Sequence, residues 1–225
     1  MGITAKQHDR TAHFSFRHCR AKRGPLCRAT AGSALLLLAL AACLPTVAVA
    51  QTTYFWNGSD PAASPAAGGT GTWDSVTANW RQGSDTGTAV LWPAAGAGTD
   101  EAIFAGSAGT VTLSGTQTAN QLGFTVTDYT LTGGTLDLDG TAPAISVTTG
   151  TATIASPVSG SAGLVKTGAG TLVLSAANTF TGGTTISAGT LQLNAQAAAS
   201  NETITLGDGA TGTADVQLTL GTNID

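Results

Sequence analysis

The sequence has 225 residues, of which 30 are glycine, and only 10% of its residues are charged. Residues 1–50 carry seven Lys or Arg and one Asp, whereas residues 51–225 carry two basic and twelve acidic residues, a net charge of −10. Nucleic acid is therefore not an expected partner, because phosphate binding needs basic side chains. All Cys and His lie in the first 50 residues, so disulfides, thiolate metal sites and histidine acid–base chemistry are not expected beyond them.

The first 50 residues have the pattern of a signal peptide that precedes the fold. A long basic segment leads into an apolar core at 34–44, which is too short to span a bilayer comfortably. Ala48 and Ala50 then occupy the small-residue positions of a signal peptidase site, which makes Gln51 the mature N-terminus. A start codon placed too far upstream would also explain the length of the basic segment.

A bacterial lipoprotein site competes with this interpretation. Residues 40–43 read Leu-Ala-Ala-Cys, and cleavage before Cys43 would leave that residue lipidated and the protein anchored to a membrane. The Ala-Val-Ala pattern favours cleavage before Gln51 instead. A Cys43→Ser change that altered processing or released the protein from membranes would decide in favour of the anchor.

Residues 51–108 are rich in aromatic side chains and are predicted to form an N-terminal cap. All four tryptophans lie here, among them Trp56, Trp73 and Trp80. The first coil of a stacked fold has an uncovered end, and bulky aromatic side chains cover such an end well. A glycan-binding surface is the alternative, in which these tryptophans would stack on sugar rings. We favour the cap because tryptophan is largely buried in most proteins.

Short strands with alternating faces recur through residues 109–225. Two GTLxL pentads, at 170–174 and 189–193, are the clearest of them. Such a unit buries its leucines only against a copy of itself, at a strand spacing of about 4.8 Å. The same alternation predicts strands at 144–147, 151–154, 184–186 and 216–220. The recurrence predicts an all-β solenoid, although composition alone would also allow a β-sandwich.

Residues 163–194 resemble the passenger-associated transport repeat, also called the autotransporter-associated β-strand repeat. The matching positions are Gly163, Lys166, Gly168, Gly170, Leu172, Leu174, Asn178, Phe180, Gly182, Gly183, Gly189 and Leu191. The resemblance implies a right-handed parallel β-helix in a secreted or surface-displayed passenger of a Gram-negative bacterium, exported through the periplasm. It also implies an outer-membrane β-barrel translocator as partner, and an extended signal peptide in residues 1–50.

Several residues of this repeat have individually predicted roles. Gly170 and Gly189 open the two pentads, where a tight corner needs positive φ or a close approach of two backbones. Asn178 is expected in a turn, bonded to the backbone, and Phe180 in the packing. Lys166 is the only lysine after the leader. The family pattern carries lysine at this position, so a structural or solvated role is expected rather than a catalytic one.

The carboxylates of the strand region give two weaker hypotheses. Asp137 and Asp139 alternate with leucines and share one outward face, as paired carboxylates do in several polysaccharide-cleaving enzymes. They are also candidates for Ca²⁺ ligation with help from Asp208. An ordinary solvated strand end explains them as well and is the preferred interpretation. We therefore expect no catalytic residue, cofactor or metal.

These patterns predict a non-enzymatic passenger segment that acts as a structural stalk or adhesin scaffold and supports export. Its expected ligand class is an extracellular glycan or a host surface. The alternatives are a glycan-binding module and a polysaccharide-active β-helix enzyme, and the lack of His and scarcity of Arg and Lys count against the enzyme. The alternating segments of a β-barrel are not found in the sequence, so a truncated passenger is expected.

Overall fold

The structure, a computed structural model, describes residues 51–58, 60–93, 98–195, 203–209 and 215–221. These residues lie in one compact unit that contains 17 β-strands. Within the described part of the chain there is no helix of the length and apolarity needed to cross a membrane. The predicted signal peptide, with Ala48 and Ala50 of its cleavage site and the competing Cys43, lies outside the described residues.

Every described secondary-structure element is a strand, and most strands are three to five residues long. In chain order they are β1 Thr52–Trp56, β2 Gly71–Trp73, β3 Trp80–Gln82, β4 Thr88–Val90, β5 Asp100–Phe104, β6 Thr110–Ala119, β7 Gln121–Phe124, β8 Tyr129–Leu138, β9 Ala144–Val147, β10 Thr151–Ile154, β11 Val158–Gly160, β12 Leu164–Thr167, β13 Thr171–Leu174, β14 Thr184–Ile186, β15 Gly189–Leu193, β16 Ile204–Leu206 and β17 Val216–Leu220. The predicted all-β class is confirmed.

The strands form two sheets between which the chain alternates. Sheet 1 has the order β16-β14-β12-β9-β7-β5-β1-β3-β4, and sheet 2 has the order β17-β15-β13-β10-β8-β6-β2, with β11 paired to β8. From β5 onward, a strand of sheet 1 is followed by a strand of sheet 2, and each strand pairs in parallel with its predecessor in the same sheet. One strand of each sheet therefore makes a coil, and the stacked coils make a parallel β-solenoid, as predicted.

The core consists of columns in which inward side chains lie over one another. In sheet 1 the paired positions are Ala102, Leu122, Ile145, Lys166, Ile186 and Leu206. In sheet 2 they are Val111, Leu131, Ile154, Leu174, Leu193 and Leu220. All members except the last of each column are buried. Each buried aliphatic side chain contributes about 1.5–3 kcal/mol to folding, so the columns are a main source of stability.

Two long strands of sheet 2 turn a corner midway and give the solenoid a third side. β6 and β8 bend at Gly115 and Gly133, which have φ of 71° and 77°. The register of their pairing shifts between Leu113 and Thr116. The second half of β8 then pairs in parallel with β11. This short strand was not predicted from the sequence.

The N-terminal end of the stack is closed by an antiparallel hairpin. β3 pairs antiparallel with β1, and β4 pairs antiparallel with β3. The parallel pairing nevertheless already includes β1, β2 and β5. The regular stack thus begins inside the segment 51–108, which contributes both coils and the cap.

Candidate functional site

The repeat spans two successive coils, one built from β12 and β13 and the next from β14 and β15. Leu172 lies opposite Leu191 in the paired strands, and Leu174 lies opposite Leu193. All four leucines are buried, as the alternation of the two pentads predicts. These repeat positions act by packing one coil on the next.

Lys166 lies inside the coil, in the apolar column between Ile145 and Ile186. Its Nζ donates hydrogen bonds to the backbone carbonyls of Thr167 at 2.7 Å, Gly168 at 2.8 Å and Ala188 at 3.1 Å. The three N–H groups of the ammonium are thus matched by three oxygens. Burial lowers the pKa of Lys166 to about 8. The sequence predicted a structural or a solvated role for Lys166, and the structure shows the structural one.

Asn178 and Phe180 connect the repeat to the third side of the solenoid. The Oδ1 atom of Asn178 accepts a hydrogen bond of 2.8 Å from the backbone N–H of Val158, the first residue of β11. Phe180 is fully buried in the core. The packing role expected of Phe180 is confirmed. Asn178 bonds the backbone as expected, but it does so at Val158, 20 residues away, and not within a turn of its own.

The glycines of the repeat occupy positions that a side chain would disturb. Gly163, Gly168, Gly182, Gly183 and Gly189 all have positive φ. A Cβ at Gly170, whose φ is ordinary, would come within 2.8 Å of Gly150 O in the neighbouring coil. Of the two predicted explanations, positive φ applies to Gly189 and the close approach of two backbones applies to Gly170.

Substituting Gly189 with alanine is expected to destabilise the repeat coil. The position has a φ of 69°, and a Cβ would lie 2.5 Å from the carbonyl oxygens of Gly168 and Gly170. We expect the free energy of unfolding to fall by about 2 kcal/mol or more, measured by chemical denaturation. Gly209→Ala is the matched control, because a Cβ there meets nothing within 4 Å. Equal stability of the two variants would contradict the argument.

The aromatic side chains near the N-terminal end form one buried cluster. The ring of Trp73 lies 5.0 Å from that of Trp80, 4.8 Å from that of Trp92 and 5.8 Å from that of Phe104. Most of these pairs are edge-to-face or tilted, which are the favoured arrangements of aromatic rings. Trp56 lies in the same cluster, 5.0 Å from Trp80.

The burial of these rings bears directly on the glycan hypothesis. Trp56, Trp73 and Trp80 are at most 1% exposed. Stacking on a sugar requires an exposed ring face, so these three residues have no surface to offer and the structure does not support the glycan-contact interpretation. Their position between the hairpin and the first coils supports the interpretation as a cap.

Arg81, which sequence analysis did not single out, holds the cap in place. The guanidinium of Arg81 donates to the carbonyls of Gly87 at 2.8 Å, Pro61 at 2.9 Å and Ala63 at 2.5 Å. This one side chain therefore ties the loop after β1 to the β3–β4 hairpin. Arg81 is the only arginine after the leader, and that isolation was the signal in the sequence.

Tyr129 performs a similar role between neighbouring coils. Its hydroxyl oxygen accepts a hydrogen bond from Gly69 N at 3.1 Å and lies 2.8 Å from Ala105 O and 2.7 Å from Ser107 O. Burial raises the pKa of Tyr129 to about 12. The phenol therefore stays protonated and serves as a fixed bridge.

The structure does not bring the candidate carboxylates together into a site. Asp137 accepts a hydrogen bond of 2.8 Å from Ser159 Oγ, and Asp139 accepts one of 2.7 Å from the N–H of Gly140. Asp208 follows β16, the edge strand of sheet 1, and accepts a hydrogen bond from a serine hydroxyl. Among the described residues, no group of three or more His, Cys, Asp or Glu could hold a metal ion.

Among the clefts on the described surface, two open ones show what such a cleft offers chemically. The larger, of about 340 Å³, is lined by Ala169, Ala188, Gly189, Thr190, Asp215 and Gln217. The other, of about 320 Å³, is lined by Gly58, Gly71, Thr72, Asp74, Thr77 and Asn79. Each cleft has a single carboxylate, so neither contains the carboxylate pair on which the enzyme alternative depends.

The parallel coils, the buried repeat leucines and the aromatic cap define a β-solenoid protein. The family model for the passenger-associated-transport repeat matches residues 164–193. The chain thus contains a passenger-associated-transport repeat, as the resemblance in its sequence predicted.

The chain is also similar to part of a much longer curated protein. It is 38% identical over 183 residues to the adhesin BmaC autotransporter of Brucella suis biovar 1 (strain 1330). The matched region covers 79% of this chain but only 5% of that relative. No solved structure matches the chain. The similarity therefore extends well beyond the repeat itself.

Proposed function

We propose that the chain is a non-enzymatic passenger segment, secreted by a Gram-negative bacterium or displayed on its surface, and that it serves as a stalk or scaffold for adhesion. The observation that carries this proposal is the 38% identity over 183 residues to an autotransporter adhesin. The fold supports it, because the repeat residues are used in stacking coils.

We further propose that export proceeds through an outer-membrane β-barrel translocator. Residues 51–225 contain no cysteine, so no disulfide would prevent the chain from crossing the membrane in an extended form. Each coil buries its leucines only when it stacks on a neighbour. This stacking would take place after the chain has crossed the membrane, so the free energy of folding is released outside the cell. Folding outside the cell would then oppose backward movement of the chain.

The proposal is tested by displaying residues 51–225 on a non-adherent Gram-negative strain, fused to the barrel of an autotransporter. We expect more binding to host cells or extracellular matrix than with the barrel alone. The matched control is the Trp73→Ala variant at equal surface amount, in which the folded surface is disrupted. If folded protein is displayed and adherence does not rise, the adhesive role is wrong and only the stalk role is left.

The two alternative functions are separated by a polysaccharide screen of the same purified polypeptide. Cleavage of a glycosidic bond would contradict the non-enzymatic proposal. Binding without cleavage would support a glycan-binding module, at a surface other than the three buried tryptophans. We expect neither cleavage nor binding to storage and cell-wall polysaccharides.

A further inference from the structure

The peptide bond between Asp60 and Pro61 lies in the loop between β1 and β2, and it is the only Asp–Pro bond in the sequence. Both residues are exposed, so water reaches this bond. An aspartate carboxylate can reach its own carbonyl carbon and close a small ring with it. The proline nitrogen carries no hydrogen and is more basic than an ordinary amide nitrogen, so it is a better leaving group. The bond is therefore chemically predisposed to cleavage from within the chain.

The carbonyl oxygen of Asp60 is held by two hydrogen-bond donors. Asn57 Nδ2 donates to it at 2.7 Å, and the backbone N–H of Ala63 donates to it at 3.1 Å. Negative charge develops on this oxygen when a nucleophile adds to the carbonyl carbon, and two fixed donors stabilise that charge. The two donors thus form an oxyanion hole on the carbonyl group of the labile bond itself.

The side-chain amide of Asn57 is fixed in the orientation that this role requires. Its Oδ1 accepts a hydrogen bond of 2.8 Å from Ala67 N, and its Nδ2 also donates to Ala63 O at 3.0 Å. Because Oδ1 is matched to a backbone N–H, turning the amide over would place its NH₂ group against another donor. Asn57 is also only 1% exposed, so water does not compete for the amide. The donor to the Asp60 carbonyl is therefore in place before any reaction begins.

The carboxylate of Asp60 is also held close to the bond. Its Oδ1 accepts a hydrogen bond of 3.0 Å from the N–H of Ala62. This hydrogen bond closes a ring of atoms that contains the Asp60–Pro61 bond, so the carboxylate is kept beside that bond. After the bond, Arg81 donates to Pro61 O at 2.9 Å and to Ala63 O at 2.5 Å, which restrains the segment that would leave.

We propose that Asp60 cleaves the chain after itself, in a reaction of the folded cap. A carboxylate oxygen of Asp60 attacks the carbonyl carbon of the same residue, and Asn57 Nδ2 and Ala63 N stabilise the oxyanion. The C–N bond to Pro61 then breaks, its electron pair stays on nitrogen, and the nitrogen takes a proton from water. The hydroxide that remains opens the cyclic anhydride at Asp60. One water is consumed, and the products are a chain that ends at Asp60 and a chain that begins at Pro61.

The cleavage leaves the cap assembled. β1 stays paired with β3 and β5 in sheet 1, and Arg81 continues to hold the carbonyl of the new terminal residue, Pro61. Strand pairing thereby replaces the covalent link between the segment that ends at Asp60 and the rest of the solenoid. That segment is then released only when β1 leaves the sheet. The reaction occurs once per chain, so it is compatible with the non-enzymatic role proposed above.

The test follows the mass of the purified full chain during incubation near neutral pH, by denaturing liquid chromatography and mass spectrometry. We expect two masses to accumulate, those of the pieces that end at Asp60 and begin at Pro61, while native size-exclusion chromatography still shows one species. Cleavage in the folded chain should be at least about tenfold faster than in concentrated urea at the same pH, because unfolding removes both donors. An intact chain after several days, or equal rates in the two states, would overturn the proposal.

Four variants locate the chemistry. Asp60→Ala removes the nucleophile and is expected to abolish cleavage, whereas Asp85→Ala, at an exposed aspartate between β3 and β4, is the matched control and should be cleaved at the wild-type rate. Asn57→Ala removes one donor and should slow cleavage by about a hundredfold. Pro61→Ala keeps the carboxylate and both donors but should also be slower, because its leaving nitrogen is an ordinary amide. Cleavage that persists in Asp60→Ala would point to a contaminating protease and would overturn the proposal.

Discussion

Replacing Trp73 with alanine is expected to lower the free energy of unfolding by about 3–5 kcal/mol. Trp73 is fully buried and touches the rings of Trp80, Trp92 and Phe104. Its removal leaves a cavity at the centre of the cap, where rigid neighbouring rings and the β1–β3 pairing limit how far the site can collapse. Urea denaturation followed by tryptophan fluorescence and far-ultraviolet circular dichroism measures the loss.

Val76→Ala is the control for the Trp73 variant, because it truncates an apolar side chain near the same strand but at an exposed position. We expect this control to stay within about 0.5 kcal/mol of the wild type. A Trp73→Ala protein with unchanged stability would show that the aromatic cluster is not a cap. Loss of sugar binding in such a stable variant would revive the glycan interpretation.

Replacing Lys166 with methionine is expected to destabilise the protein although methionine is apolar and similar in length. The ammonium donates to Thr167 O, Gly168 O and Ala188 O, and the substitution removes all three donors from the interior of the coil. The variant no longer has to bury a charged group, and the desolvation cost that is saved offsets part of this loss. We expect a net loss of about 1–3 kcal/mol for methionine and about 2–5 kcal/mol for alanine, which also leaves a cavity.

The pH dependence of stability separates the charge of Lys166 from its packing. Burial lowers the pKa of Lys166 to about 8 in the folded protein, whereas an unfolded lysine titrates at about 10.4. The unfolded state therefore binds more protons between these values, and the stability of the wild type is expected to rise as pH increases from about 8 to about 10. Below pH 8 the lysine is protonated in both states, so this contribution to the pH dependence vanishes.

The Lys166→Met variant is the control for this pH effect. Burial raises the pKa of Tyr129 to about 12 and also raises that of Tyr54. Both tyrosines therefore make stability fall above about pH 10, where they ionise in the unfolded chain. They are present in both proteins, so the difference between wild type and variant isolates Lys166. A difference that does not change between pH 8 and 10 would contradict a lowered pKa.

The repetitive part of the fold was predictable because each coil repeats one local rule. Alternating apolar residues and corner glycines placed β9, β10, β14 and β17 at their observed bounds. The recurrence predicted a solenoid, in which Leu172 and Leu174 are buried against a copy of the same unit, and the parallel direction of the strands was implied by the resemblance to the passenger-associated transport repeat. In these coils, the strand bounds and the inward faces follow from the local pattern, and pairing between coils changes them little.

The features that sequence analysis missed depend on contacts between distant segments. The β3–β4 hairpin lies outside the repeating pattern, and it is held by Arg81 and by antiparallel pairing with β1. The sequence does contain an indication that Lys166 points inward. Lys166 is two residues from Leu164 in the same strand, so alternation places both on the same face.

The register of the stack allows the number of coils to change without disturbing the pairing of the coils that are already present. Thr151 lies opposite Thr171, and Thr171 lies opposite Thr190, so equivalent positions recur after one turn of the chain. A tandem duplication of one such turn inserts a complete coil and lengthens the stack by one strand spacing, about 4.8 Å. A duplication of half a turn instead shifts every later strand to the wrong sheet. Natural variation in length among such genes should therefore occur in whole-coil steps.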